Sequence, residues 1–370
     1  MANQDSKYSG DPRFTKTFRD DLRQIKVKDE LSSEYKDLKE YFLTEDRKKK
    51  LEGMSKFKKF FLISCWLLKS LYFRLTPFRR FLLLIGIILI LLSGNTRIDS
   101  EDVSIELVGT AMIAGFIFLF ILALELKDKL LAKTELEEGH AVQQALMPER
   151  NPKVPGWDFW LFTTPANDVG GDLLDFIQLT EIKFGVAVVD VAGKCLSAAL
   201  LMAKLQATIR ALIPDYTSLS HLGDKLNKIF YRDSIPKIFA SLIYLELNSD
   251  FGAINMLIAG HIPPLLVKEN TIKQLDKDAP ALGLIPDVNF KEQNLLLNEN
   301  DFLIIYSDGV TEAQNEAGEF FGEDKLKEKL NNILNLSSEV VGEKLLASIN
   351  SFVGKANFYD DLTLAILKKV

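Results

Sequence analysis

The chain has 370 residues, 47% of them hydrophobic and 26% charged, with a formal net charge of −6. That balance supplies a sizeable core and shows no basic domain of the kind that binds nucleic acid. Two distant cysteines, Cys65 and Cys195, and three histidines, His140, His221 and His261, exclude a disulfide framework and a Cys- or His-type metal site, so any metal here is held by oxygen and is a hard ion such as Mg or Mn.

Residues 1–76 form a polar, basic N-terminal region with a helical stretch from Asp29 to Phe42. No signal peptide is expected, because the first apolar run starts too late. The apolar stretch Phe60–Leu75 is broken by Lys69 and Arg74, which predicts a helix lying in a membrane interface.

Residues 77–124 hold two apolar runs, Phe81–Ser93 and Ile105–Leu124. The second has about the 20 residues a bilayer span needs. The first is short and borrows flanking residues. Together they predict a transmembrane hairpin.

Charge gives its orientation. From Arg47 to Arg80 the chain carries many Lys and Arg residues, and Glu52 is the only acid. The connector Asn95–Ser104 is mostly acidic, and Lys127, Lys129 and Lys133 follow the second span. The positive-inside rule places both ends, and the C-terminal domain, on the cytoplasmic side of the inner membrane. The basic run also favours anionic headgroups.

Residues 125–147 read as a helical linker ending at Pro148, with apolar positions spaced three to five apart, and as a candidate dimerisation helix. Residues 148–370 have globular character. Strands are expected at 158–162, 173–179, 184–190, 239–247, 253–258, 264–267, 302–307 and 362–367, and helices at 197–212, 219–231, 324–333 and 339–352. Hairpin-like strand pairs and grouped helices predict an α+β domain with antiparallel sheet.

Four acidic sites share one context, at or beside the end of an apolar strand. They are Gly170-Gly171-Asp172, Val189-Asp190-Val191-Ala192-Gly193, Tyr306-Ser307-Asp308-Gly309 and Asp360-Asp361-Leu362-Thr363. Singly, each is a common turn. Converging, they repel one another unless cations neutralise them. Two oxygen-ligated Mg or Mn ions do this, and such a pair can clamp a phosphoryl group.

These motifs, with Leu146-Met147-Pro148, Ala198-Ala199-Leu200, Ala259-Gly260-His261 and Ser307-Asp308-Gly309-Val310-Thr311-Glu312, resemble the PPM superfamily of metal-dependent protein phosphatases. The similar branch is the bacterial one that includes SpoIIE and RsbU. The resemblance covers residues 140–370 and implies two antiparallel sheets sandwiched between helices, with two Mn or Mg ions at one end. Asp190 then bridges both metals, the Val191 carbonyl and Asp172 serve the first, and Asp308 and Asp360 hold the second. The implied activity is hydrolysis of phosphoserine or phosphothreonine on a protein, with an anti-sigma-factor antagonist as the implied kind of substrate. The alternatives are a non-catalytic phosphoprotein-binding module and a small-molecule phosphatase.

The sequence departs from the branch at Cys195, where glycine is usual, and at Leu174, where an aromatic is common. Cys195 is expected as a buried, inert thiol. Asp175 and Arg210 are expected as structural residues, His261 as a turn or core residue, and Asp361 as a support for Asp360 or a backbone cap. Lys194 is read equally as a phosphate attractor and as a solvated lysine.

Overall fold

The computed structural model describes residues 51, 54–93, 97–100, 103–106, 108–193, 195–233, 238–249, 251–269, 271–277 and 279–370. The helix expected at 29–42 lies outside these. The chain divides into two units, residues 1–129 and 130–370.

In the first unit, α1 spans Lys56–Arg74 and α2 spans Pro77–Ser93. Pro77 opens α2, where its missing N–H costs no helical bond and its fixed φ suits the helix. A short antiparallel hairpin follows, β1 (Arg97–Ser100) with β2 (Val103–Glu106). The second apolar run therefore begins as strand, and its helix, α3, starts at Val108 and continues to Leu146. Arg79, near the start of α2, donates to Glu125 (2.6 Å) and Asp128 (2.6 Å) on α3. This fork ties the two helices together at that end.

Two described helices have the length and apolarity to cross a membrane: Thr110–Leu146 of α3 and Cys195–Asp215. The second belongs to the globular unit and packs its apolar face into the core. Its composition reflects burial against a sheet. Helix α2, at 17 residues, is short for a span.

The second unit contains two five-stranded antiparallel sheets. The first runs β10 (Gln293–Leu296), β7 (Ala253–Ala259), β6 (Ala240–Asn248), β5 (Lys183–Val191) and β4 (Leu173–Gln178). The second runs β3 (Trp157–Thr164), β12 (Leu362–Lys369), β11 (Phe302–Tyr306), β8 (Leu265–Lys268) and β9 (Thr271–Gln274). The sequence expectation missed β9 and β10. Both are four residues long and half exposed, so they lack the apolar run that marks a strand.

Side-chain alternation builds three layers of core from these sheets. Between the sheets lie Phe159, Leu161, Leu174, Val186, Val188, Ile243, Leu245, Leu303, Ile305, Ala365 and Leu367. The alternate residues Leu173, Ala187, Val189 and Val191 face the other way and pack under α4 (Cys195–Leu212) and α5 (Leu219–Asp233) through Met202, Leu205, Ile209, Leu222 and Leu226. The second sheet turns Trp160, Phe302, Ile304, Leu364 and Ile366 toward α7 (Gly322–Lys329) and α8 (Ser338–Val353). Each such side chain, fully buried, contributes about 1.5–3 kcal/mol of transfer free energy. The result is helices, sheet, sheet, helices, as the resemblance implied. Helix α8 is capped at Ser337, whose side chain accepts from Val340 N–H. Its Gly342 lets the Trp160 ring lie against the helix backbone, a space that a β-carbon would fill.

Candidate active site

The same alternation that fills the space between the sheets also sets what closes one end of it. On β5, Val186 and Val188 point between the sheets, and Asp190 keeps their parity. Asp172 stands two before Leu174 of β4. Ser307 stands two after Ile305 of β11. Thr363 and Asp361 precede Ala365 on β12, and Thr163 follows Leu161 on β3. The core rows of five strands thus end in polar residues on one side of the sandwich.

These residues hold one another. The Asp361 carboxylate accepts from the backbone N–H groups of Ala166 (2.8 Å), Gly171 (2.6 Å) and Asp172 (3.2 Å). It therefore fixes the loop that carries Asp172. Thr363 Oγ1 donates to Asp172 Oδ2 at 2.6 Å. A hydroxyl has one proton, so Thr163 Oγ1, 2.8 Å from Thr363 Oγ1, is the donor in that pair. Ser307 Oγ donates to the Asp361 carbonyl (3.1 Å) and accepts from Thr363 N–H (3.0 Å). Asp308 opens the single turn α6 (Asp308–Thr311). Gly309 lies so close to the Asp361 backbone that a side chain there would overlap it. Asp360 accepts from Asp361 N–H at 3.0 Å.

The cluster is electrostatically frustrated. Burial, and then the charges of Asp308, Asp360 and Asp361, push Asp190 up to about 7. Burial and the charge of Asp190 raise Asp172 well above the usual carboxylate range, against the opposing bond from Thr363. Burial and then Asp360 raise Asp308. Among the described residues, no Lys, Arg or His pairs with Asp172, Asp190 or Asp308. The fold thus brings Asp172, Asp190, Asp308 and Asp360 within reach of each other's charge.

The donor set suits a hard divalent ion. It is all oxygen, and a β-carbon at Gly171 would come within 3.0 Å of the Val191 carbonyl oxygen, so the glycine keeps the space beside that oxygen clear. Among the described residues no three Asp, Glu, His or Cys side chains stand close enough together to hold a metal ion by themselves. Mg and Mn commonly keep several waters and use few carboxylates, which fits an open arrangement of this kind.

The remaining expectations fall as follows. Asp175 is fully buried and receives a two-point bond from Arg210, Nε to Oδ2 at 2.8 Å and Nη2 to Oδ1 at 2.6 Å. It faces the helix side of the sheet, away from the cluster, as a structural pair. His261 is buried, and burial lowers it to about 4. Asp361 caps backbone, and does so for three peptides, a reach its place in the sequence did not reveal. Cys195 corrects the expectation of a buried thiol: it is exposed, at the first position of α4, with φ +61°. A non-glycine residue there costs about 1–2 kcal/mol. Lys194 lies outside the described residues. Thr163, Ser307, Thr363 and Gln143 were missed as site-organising residues. Strand parity is the signal that could have found the first three.

A cavity of about 350 Å³ opens beside Asp172, between Glu137, His140 and Gln143 of α3 and Thr163, Asn167 and Asp168 of the domain.

Two five-stranded antiparallel sheets between helix layers form a sandwich of the PP2C-domain fold. Solved structures share that fold. The SiaA-PP2C domain of Pseudomonas aeruginosa superposes with a TM-score of 0.57 at 16% identity, over 65% of this chain and 98% of that one. The RsbU and RsbW domains of a Mycobacterium tuberculosis protein give 0.50 at 23% identity, over 59% and 61%. The chain belongs to the SpoIIE family: the family described as stage II sporulation protein E (SpoIIE) matches residues 180–370, just over half of it. Among curated relatives, "Phosphoserine phosphatase RsbU" of Bacillus subtilis is 26% identical over 239 residues, 64% of this chain and 70% of that protein. "Phosphoserine phosphatase RsbP" of the same organism is 28% identical over 190 residues, 49% of this chain and 46% of that one.

Proposed function

We propose that this chain is a metal-dependent protein serine/threonine phosphatase, anchored in the membrane through α2 and α3. The observation that carries the reading is the cluster of Asp172, Asp190, Asp308 and Asp360 at one end of the sandwich, where like charge and burial raise the first three and no described Lys, Arg or His pairs with them. Family membership and the names of the relatives support the reaction class. The resemblance to the SpoIIE and RsbU branch points to a phosphorylated signalling regulator, of the anti-sigma-factor-antagonist type, as the substrate.

In this reading Asp190 faces two Mn or Mg ions, the Val191 carbonyl and Asp172 serve the first, and Asp308 and Asp360 serve the second. When bound, the ions supply electrostatic stabilisation of the charge that builds on the transferred phosphoryl group. The protein's own part is positioning. Thr363 fixes the Asp172 carboxylate, and Asp361 fixes the loop that carries it. Ser307 and Thr363 have their hydroxyls committed to that scaffold. Neither is free to form a phosphoenzyme, which favours direct attack by water.

The membrane placement rests on the apolar length of α3, on the charge asymmetry around the two runs and on the exposed apolar side chains of α2 and α3, such as Leu91, Phe116 and Leu122. The cytoplasmic side is the one the basic residues assign. The linker part of α3 is the proposed site of any dimer contact.

The test is phosphate release from a phosphoserine protein by the detergent-purified chain in Mn, in Mg and in EDTA. Metal-dependent release supports the reading. A folded, metal-loaded protein that binds the phosphoprotein without turnover would replace it with a binding module.

A further inference from the structure

Gln143 sits in the last turns of α3, is 8% exposed and meets one residue twice, through the two peptide groups that flank its Cα. Its Nε2 donates to the Gly170 carbonyl at 3.0 Å, and Gly170 N–H donates to its Oε1 at 3.1 Å. Both bonds are buried. A side-chain carboxamide carries the donor and the acceptor in the geometry this needs. Losing either bond leaves a buried polar group unpaired, at about 1–3 kcal/mol.

The other side of Gly170 is closed by Asp361, since a β-carbon on Gly170 would overlap that carboxylate. Gly170 is therefore gripped between α3 and the residue that precedes β12. Asp172 lies two residues further on, with its N–H on Asp361 and its carboxylate on Thr363. A second contact fastens the same turn of the helix. Gln206 of α4, itself 3% exposed, donates from Nε2 to the Leu146 carbonyl at 3.0 Å. Helix α4 begins four residues after Val191. The end of α3 is thus bonded to an element next to each of two acidic sites.

We propose that Gln143 is a positioning residue for the metal site: by holding both backbone polar groups of Gly170, it sets where Asp172 stands and so how tightly the acidic cluster takes up a divalent cation. The inference rests on the metal-dependent reading above. It assigns a site role to one residue of the helix that leads out of the apolar segment, outside the span of the family match. Outer residues that orient metal ligands typically change metal affinity by about 10–100-fold when removed.

The test uses the full chain in detergent, stripped with chelator, and titrates Mn directly by calorimetry, beside thermal unfolding of each metal-free protein. The variants are Gln143→Met, which keeps length and helix propensity without the amide, and Gln143→Ala, which cannot crowd the loop. Gln206→Leu removes the other fastening without touching Gly170, and Asp190→Asn removes a ligand. The expected result is Mn binding by the wild type, none by Asp190→Asn, about 10–100-fold weaker binding by both Gln143 variants and near wild-type affinity in Gln206→Leu. Faster amide exchange at Gly170–Asp172 should accompany the weaker binding. Equal affinity in wild type and either folded Gln143 variant would overturn the proposal while leaving the metal reading intact. So would an equal loss in Gln206→Leu, which would reduce the effect to loose helix docking. Absence of Mn binding by the wild type would overturn the metal reading itself.

Discussion

Asp175 and Asp190 stand on neighbouring strands of one sheet, and the protein treats their charge in opposite ways. Asp175 faces the helices, is fully buried and has the Arg210 guanidinium on both oxygens. Asp190 faces the space between the sheets, where Asp308, Asp360 and Asp361 add like charge. The first is a closed account inside the protein. Among the described residues no cation meets the second. The difference separates a carboxylate that serves the fold from one that serves a ligand, and it follows from which face of the strand each occupies.

The sharpest way to break this contrast is to neutralise each carboxylate in turn. Asp190→Asn should reduce turnover by at least about 10²–10³-fold, the scale of a lost electrostatic contact in a transition state. It should leave the metal-free protein as stable as before or more so, because it removes repulsion. Asp175→Asn should do the reverse. It breaks a buried pair, which costs roughly 3–5 kcal/mol at full burial and less here because Arg210 is half exposed. Its Mn affinity, once folded, should match the wild type. Thermal unfolding and Mn titration of the two variants check both halves. A stability loss in Asp190→Asn with no change in Mn affinity would erase the distinction.

The pH dependence of stability should separate the regions next. The folded-state value of Asp190 is raised, so its contribution to stability is present below the ordinary carboxylate value of 3.8 and is lost as pH rises through about 7. Metal-free protein should therefore gain stability from the acidic cluster as pH falls from 7 toward 4. Mn should stabilise more at pH 7.5 than at pH 5.5. His261 acts with the opposite sign. Its folded-state value is lowered to about 4, so its contribution is lost as pH falls from 6.5 toward 4. Melts with and without Mn across this range, repeated in Asp190→Asn, isolate the carboxylate part. A Mn effect equal at both pH values would contradict it.

A smaller effect is expected from Thr363→Val, which keeps shape and removes the bond to Asp172. Mn affinity should fall by about 10-fold, at the low end for an orienting residue, with a stability cost of about 1 kcal/mol. No change in affinity would mean that the Thr363 hydroxyl does not position Asp172.

Much of this was legible in the sequence. Long apolar runs at 184–190 and 302–307 announced core strands, and aspartate at or beside strand ends, with adjacent glycine at Asp172 and Asp308, marked the four acidic sites. The short strands β9 and β10 were not legible, because their pairing supplies what their composition lacks. The second apolar run was read as helix from Ile105, but the first residues of that run pair as strand in the β1–β2 hairpin. Cys195 was read by its residue type as buried, while its place at the start of α4 turns it to solvent. Gln143 looked like any polar residue on a linker. Its role appears only when Gly170, 27 residues on, folds back against it.

The most direct test of the central claim is phosphate release from a phosphoserine protein by the full chain, with Mn, with EDTA, and in Asp190→Asn and Asp308→Asn. The account predicts release that needs the metal and disappears in both variants while their folds persist. Release that survives chelation, or that either variant retains at the wild-type rate, would contradict it.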